Sequence, residues 1–215
     1  MLHIVLATRN PHKAKELAEL LPVSGIRWHT LAEFPHVPAP PETGDTFDAN
    51  AVQKAQAVAR ATRHLALADD SGLEVAALKG LPGVWSARFA GQHGDDAANN
   101  AELLRRLAGV AAARRQARYR CTLALADGSR VLALARGSWA GRIALQLRGR
   151  GGFGYDPLFL LPRLGKTVAE LPAPMKQRLS HRAKAAVRMR TVLRRLTARR
   201  RGAARGNSRG RGRAA

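Results

Sequence analysis

The densest chemistry in the chain lies in Leu65–Leu73, LALADDSGL, where a short apolar run delivers two adjacent carboxylates, Asp69 and Asp70, into Ser71-Gly72. An apolar run of strand length reads as a buried strand, and the Ser-Gly pair as the turn that ends it. Acidic side chains at such a strand end lie where open α/β sheets place their chemistry. Two carboxylates this close repel one another unless a cation sits between them or one takes up a proton. A Mg²⁺ site acting on phosphates has that requirement. The fragment alone equally describes a solvated turn, because turns favour the same residues.

Four other segments carry chemistry of their own. Thr8-Arg9-Asn10-Pro11-His12-Lys13 joins an apolar run to a helix start, where free backbone N–H groups and the positive helix end suit an anion. It lacks the GK[ST] ending of a Walker A loop. Glu42 precedes Thr43-Gly44-Asp45-Thr46, and Asn50 and Lys54 follow four residues apart on one helix face. Glu42 in that loop could complete a metal site with Asp70. In Gly149–Pro157, glycines on both sides of Phe153 let the backbone approach a ligand and leave the ring free to stack. Asp156, held extended before Pro157, could accept from a ring N–H. Finally, Lys176 and Ser180-His181-Arg182 bring donors for carbonyl or phosphate oxygens to the last helix. Each has a plain alternative: a capped helix, a solvated glutamate, a tight turn, a basic helix end.

The elements that must position these groups alternate. His3–Ala7 reads as a strand, then Asn10 as an N-cap with Pro11 at the first helical position. Arg27–Gly44 is a proline-rich loop around a short strand, and Thr46 caps a second helix through about Ala61. After the LALADD strand comes a loop over Lys79–Gly94, then a helix opened by Asp95 or Asp96. Tyr119–Ala126 and Arg130–Arg136 form a hairpin across Asp127-Gly128. A short apolar stretch, Leu158–Leu161, precedes a final helix from about Ser180. Interleaved strands and helices with one antiparallel hairpin predict an α/β protein with a mixed sheet.

Composition bounds the rest. A chain of 215 residues suits one large domain or two small lobes, and 46% hydrophobic content argues against global disorder. No apolar run approaches the roughly 18 residues of a membrane span, and MLHIVLATRN lacks the pattern of a signal peptide. The single cysteine, Cys121, excludes an internal disulfide framework and points to a reducing cytoplasm. Arg188–Ala215 holds eleven arginines and no acid, half of the net charge of +22. From Arg201 onward the chain has almost nothing to bury and is expected to be disordered, leaving residues 1–200 as the domain.

In combination, TRNPHK, ETGDTFDANAVQKA, ADDSGLEVAALKGLPGVWSARFAG, GGFGYDPLF and KQRLSHR resemble, in order and spacing, the inosine/xanthosine triphosphate pyrophosphatase family. The resemblance spans about Leu2–Leu196, and the arginine-rich tail is outside it. It implies a two-lobed α/β fold around a long mixed sheet, with the site in the cleft between lobes, and a homodimer. It also implies Mg²⁺-dependent hydrolysis of ITP, dITP and XTP to the monophosphate and pyrophosphate. On this pattern Asp70 is the proton acceptor and, with Glu42, holds the metal. Thr8, Arg9, Asn10, Pro11, His12, Lys13, Lys54 and Ser71 would bind phosphates. Phe153, Gly154, Tyr155, Asp156, Lys176, His181 and Arg182 would take the base, Phe153 by stacking and the last four at its edge.

Three of only seven lysines fall at positions 13, 54 and 176 in a chain with thirty arginines. A compact ammonium is not replaced by arginine's wider planar fork in a tight contact. Two alternatives stand beside the enzyme reading. One is a pyrophosphatase acting mainly on modified pyrimidine nucleotides. The other is a basic nucleic-acid-binding protein working through its tail, which at the least would give weak, non-specific contact.

Overall fold

Asn10 and Pro11 start the first helix as expected: Asn10 accepts from the Lys13 amide at 3.1 Å, and α1 runs Pro11–Leu20. The computed structural model describes residues 1–40 and 42–210. Around α1 the strands are β1 (Leu2–Leu6), β2 (Ile26–Thr30), β3 (Leu65–Val75), β4 (Gln116–Ala126), β5 (Val131–Ile143), β6 (Phe159–Leu161) and β7 (Lys166–Thr167). The further helices are α2 (Phe47–Thr62), α3 (Asp96–Arg106), α4 (Ala173–Leu179) and α5 (His181–Gly210). The seven strands form one mixed sheet in the order β2-β1-β3-β4-β5-β6-β7. β1 is parallel to β2 and β3, and every later pairing is antiparallel.

Two lobes share this sheet. Leu67, Leu123 and Leu125 pack with Ile4, Leu17 and Met189 under α1 and α5. On the opposite face Ala66, Ala68 and Ala124 meet Ala51, Ala55 and Val58 of α2. Further along the same strands Leu73, Ala117, Tyr119 and Trp139 join a separate core with Leu103, Phe159 and Val168. The stretch from Asp69 to Gly72 falls where one set of contacts gives way to the other.

Two expectations are corrected. Ser71-Gly72 is not a turn: β3 runs through it and pairs with β4 from Ala66 to Val75. Gly72 is needed instead for a close approach, since a Cβ there would lie 2.4 Å from Ser86 Oγ and 2.6 Å from the Gly83 carbonyl. The carboxylates therefore sit mid-strand, just past Leu67, the last β3 residue paired to β1. Lys176 is not on the last helix but on the short α4, separated from α5 by Ser180, which accepts from the Ala183 amide at 3.0 Å. The last helix, α5, runs His181–Gly210. Residues 211–215 of the expected tail lie outside the described residues.

Candidate active site

α2 and β3 bring together the acids that the sequence separates. The Lys54 ammonium lies 2.9 Å from Glu42 Oε1 and 2.7 Å from Asp70 Oδ1, so one cation ties both carboxylates. Thr46 caps α2 by accepting from Ala49 at 3.1 Å, and Asn50 Oδ1 accepts from the Gly44 amide at 2.7 Å, which folds the Glu42 loop back over the helix. Lys54 is buried, yet its two carboxylates outweigh that burial and raise its proton affinity.

Asp69 and Asp70 have opposite environments. Asp69 accepts from Ser71 Oγ at 2.7 Å, meets Lys13 Nζ at 3.0 Å and Arg182 Nε at 2.9 Å, and takes the Cys121 thiol at 3.2 Å. Burial works against its charge, but Arg182 and Lys13 hold it well below the usual carboxylate range. Asp70 points to the other face of the strand, as alternation requires. Burial raises its pKa despite Lys54, and Oδ2 is buried with no partner. An unpaired buried carboxylate oxygen is costly unless function uses it.

Two carboxylate oxygens here are open to a divalent cation. Asp70 Oδ2 is free, and Glu42 Oε2 has only Arg88 at 3.4 Å. Among the described residues no group of three or more His, Cys, Asp or Glu is arranged for a metal. Two carboxylates, with phosphate oxygens and water completing the shell, suit Mg²⁺, which is seldom caged by protein alone. The residues fit the ion.

Two cavities adjoin here. One, of about 310 Å³, is lined by Thr8–Asn10, Lys13, Glu42, Lys54 and Asp69–Ser71. The other, of about 500 Å³, is lined by Pro11, His12, Phe153–Asp156, Lys176, His181 and Arg182. Both include Arg9, Asn10, Lys13 and Ser71, so they form one continuous cleft.

The second cavity is braced from several directions. Asp156 Oδ2 accepts from Lys176 Nζ at 2.8 Å and from the Phe153 amide at 3.0 Å, and Oδ1 from the Tyr119 hydroxyl at 3.2 Å. Gly152 has φ +77°, and a Cβ on it would fall 2.0 Å from Asp156 Oδ2, so only glycine fits. Tyr155 turns its hydroxyl to the Ser86 carbonyl at 2.9 Å. Phe153 is not a free platform: His12 stacks on it at 5.3 Å and the Lys176 ammonium lies 4.5 Å from its ring centre. An aromatic face attracts just such partners. His181 stacks on Tyr119 at 4.6 Å, and its buried Nδ1 has no partner. Burial, aided by Arg182, keeps its ring well below the ordinary histidine pKa and hence neutral.

Arg182 lines the same cavity and is tied down by three partners. Its Nε, Nη1 and Nη2 donate to Asp69, Glu16 and Ser71, and it is 2% exposed.

The Ham1 family model matches residues 4–192. This chain belongs to the Ham1 family. Among its Ham1 relatives, the dITP/XTP pyrophosphatase of Desulforamulus reducens is 51% identical over 91% of this chain and 97% of its own. That of Geobacillus kaustophilus is 49% identical over 88% and 93%. The solved HAM1 protein of Coxiella burnetii superposes with a TM-score of 0.83 at 42% identity, covering 90% of this chain and 98% of that one. The Ham1 protein of Staphylococcus aureus gives 0.80 at 36% identity, over 89% and 97%.

Asp96 in the cleft of this Ham1 chain, and Glu16 and Asn100 behind its lining, are residues that sequence reasoning missed. Glu16, on α1, binds Lys176 Nζ at 2.8 Å and the Arg182 guanidinium. From α3, Asp96 accepts the Gly154 amide at 2.6 Å while Asn100 donates to the Gly154 carbonyl at 2.8 Å. Spacing offered one faint signal for Glu16, which follows Lys13 by three on one helix face; nothing local marks the other two.

Proposed function

We propose that this protein is a dITP/XTP pyrophosphatase, hydrolysing non-canonical purine nucleoside triphosphates, ITP included, to the monophosphate and pyrophosphate. The observation that carries this is the continuity of the two cavities, which offers a carboxylate-and-lysine end for phosphates and an aromatic, donor-rich end for a base in one cleft.

Glu42 and Asp70 would hold Mg²⁺, which supplies charge neutralisation on phosphate oxygens and makes water easier to deprotonate. Asp70 Oδ2, raised in basicity by burial, accepts the proton of the attacking water. Lys13, Lys54 and Ser71, with the N-terminus of α1, hold the phosphates. The purine takes the place of His12 on the Phe153 ring. Neutral His181 presents its unpaired Nδ1 to the base edge, and Lys176 adds a second donor. A 6-keto purine accepts there and adenine does not, so buried donors left unpaired by ATP would discriminate by up to roughly 10⁴ in kcat/KM. Arg182 and Asp156 act by fixing Ser71, Lys176 and the Phe153 loop in place. No helix among the described residues is long and apolar enough to cross a membrane; the one buried thiol, Cys121, supports a cytoplasmic setting. Exposed Leu81 and Trp85 support a homodimer, as apolar surface for a second copy. Residues 1–200 form the catalytic unit.

The test is a panel of ITP, dITP, XTP, GTP, ATP and modified pyrimidine triphosphates with Mg²⁺, with pyrophosphate and free phosphate measured separately. Equimolar pyrophosphate and monophosphate from the first three supports the reading. Release of single phosphates, or preference for pyrimidines, overturns it.

A further inference from the structure

A second concave site lies at the end of β1 remote from the catalytic cleft. His3 on β1, Arg60 and Arg63 at the end of α2, His64 before β3 and Arg200 on α5 line a groove of about 960 Å³. β1 runs from this groove, at Leu2 and His3, to the Thr8–Lys13 junction of the catalytic cleft.

The charge in the groove is one-sided. The single acid among its lining residues, Asp127, is already engaged: Oδ1 accepts from the Ser129 amide and hydroxyl and the Arg130 amide, and Oδ2 from Arg130 Nε at 3.2 Å. Arg60 donates to the Gly128 carbonyl at 3.1 Å, which fixes one guanidinium on the wall. Arg200 falls seven positions after buried Leu193, on the same helical stripe. At that point the sheet has ended, so a position that faces the core two turns earlier faces the groove. The largest influences on His3 are burial, His29, His64, Arg27 and the N-terminal ammonium, and all lower its proton affinity.

His3 and His64 line the groove, and the buried ring of His29 packs against both. The rings of His3, His29 and His64 form a triangle with centres 5.2, 5.6 and 5.6 Å apart and planes within 25° of parallel. His3 Nδ1 and His29 Nε2 are 3.0 Å apart, and His29 Nδ1 lies 2.7 Å from Glu33 Oε2 on the side away from His3. His3 is thereby held in place, and with His64 it lies beside the guanidiniums of Arg60, Arg63 and Arg200. Guanidinium and imidazole N–H groups are the donors that recognise phosphate oxygens. The His3 and His64 rings beside them can stack on a base, and the volume is that of a small-molecule site.

We infer that this groove binds the phosphate of a small phosphorylated ligand, at a site separate from the catalytic cleft. The inference does not depend on which nucleotide the cleft hydrolyses. A nucleoside monophosphate and free phosphate share this chemistry, and their concentration dependence separates them.

Histidine ring NMR of the full chain tests it, because His3 and His64 report on the groove while His12 and His93 report on the cleft. Titration with inorganic phosphate should move the His3 and His64 signals saturably. In Arg63→Glu/Arg200→Glu the half-saturating concentration should rise by at least about tenfold, with dITP hydrolysis unchanged. Arg200→Glu alone, at an exposed position, should give part of that rise. AMP saturating well below inorganic phosphate identifies a nucleotide as the ligand; saturation at equal concentrations identifies phosphate itself. Signals that move linearly, or identically in the double variant, overturn the inference. Tighter saturation by a 12-mer oligonucleotide than by AMP overturns it in favour of a nucleic acid.

Discussion

Arg182 Nε lies 2.9 Å from Asp69 Oδ2, and both side chains are buried. The same guanidinium also binds Glu16, which holds Lys176, while Asp69 holds Lys13. A chain of charges therefore runs along the two cavities, with Asp69 and Arg182 buried at its centre and Lys13, Glu16 and Lys176 partly exposed at its ends. Removing one member strands another charge away from water. Arg182→Met should lower unfolding free energy by about 3–5 kcal/mol, read from urea transitions. Arg182→Lys should recover only part of it, because an ammonium cannot serve three partners in a planar fork. Equal stability of both variants and wild type would remove the network from the account of the fold.

Asp70→Asn keeps the shape of the side chain and leaves Lys54 its second partner, Glu42, at 2.9 Å. The fold should persist, with unchanged circular dichroism and a Tm no lower than wild type. Activity should fall on the order of 10³ in kcat, since proton acceptance and metal binding are lost together. Retention of more than a tenth of kcat at saturating Mg²⁺ would move the base elsewhere.

Gly152→Ala forces a Cβ against Asp156 Oδ2 at a positive φ. The carboxylate must shift, and with it Lys176 and the Phe153 amide. The expected cost is about 1–3 kcal/mol of stability, with kcat/KM for dITP falling mainly through KM. A variant with wild-type KM would show that the loop does not contact the base.

His181 carries both a selectivity and a pH prediction. His181→Ala should cut kcat/KM for ITP far more than for ATP, because only the 6-keto base loses a partner. Equal losses would place this ring on the phosphates. In the folded state burial depresses its pKa well below 6.5. Below pH 6.5 the unfolded chain therefore binds a proton that the folded chain refuses, and stability is lost as pH falls. His181→Phe, which preserves stacking on Tyr119, should flatten that acid limb by up to about 1.4 kcal/mol per pH unit. Superimposable stability–pH curves would contradict a buried neutral ring.

Truncation before Arg201 should leave kcat and KM for ITP unchanged, while retention on a polyanion column weakens through loss of counterion release. A several-fold fall in kcat/KM would mean that the terminal segment reaches the cleft.

Much of this architecture is written in local signals. Asn10-Pro11, Thr46 and Asp95 mark helix starts because a cap is a contact between near neighbours, and all three accept from the amide three residues on. Asp127-Gly128 marks its hairpin for the same reason. Gly72 misleads, since a glycine demanded by Ser86 and Gly83 across a loop looks the same in sequence as one demanded by a turn. Arg182 shows the same limit: its type and place announce a donor, but its partners Asp69, Glu16 and Ser71 lie 111 to 166 positions away and only the fold supplies them. Glu16, Asp96 and Asn100 are ordinary helix residues whose partners lie 54 to 166 positions away. Such pairings are properties of the packed sheet and leave no periodic trace.

β3, β4 and β5 pass without a break from one core into the other. Hydrogen-bonded ladders that cross a boundary resist bending far more than a single connecting strand would. The two halves are thus a girder rather than a pair of jaws, and the cleft must admit its guest by movement of the covering segments, above all those that carry Glu42 and Phe153. Neither half can be excised as a self-sufficient fragment, because a cut through the girder exposes three severed strands at once.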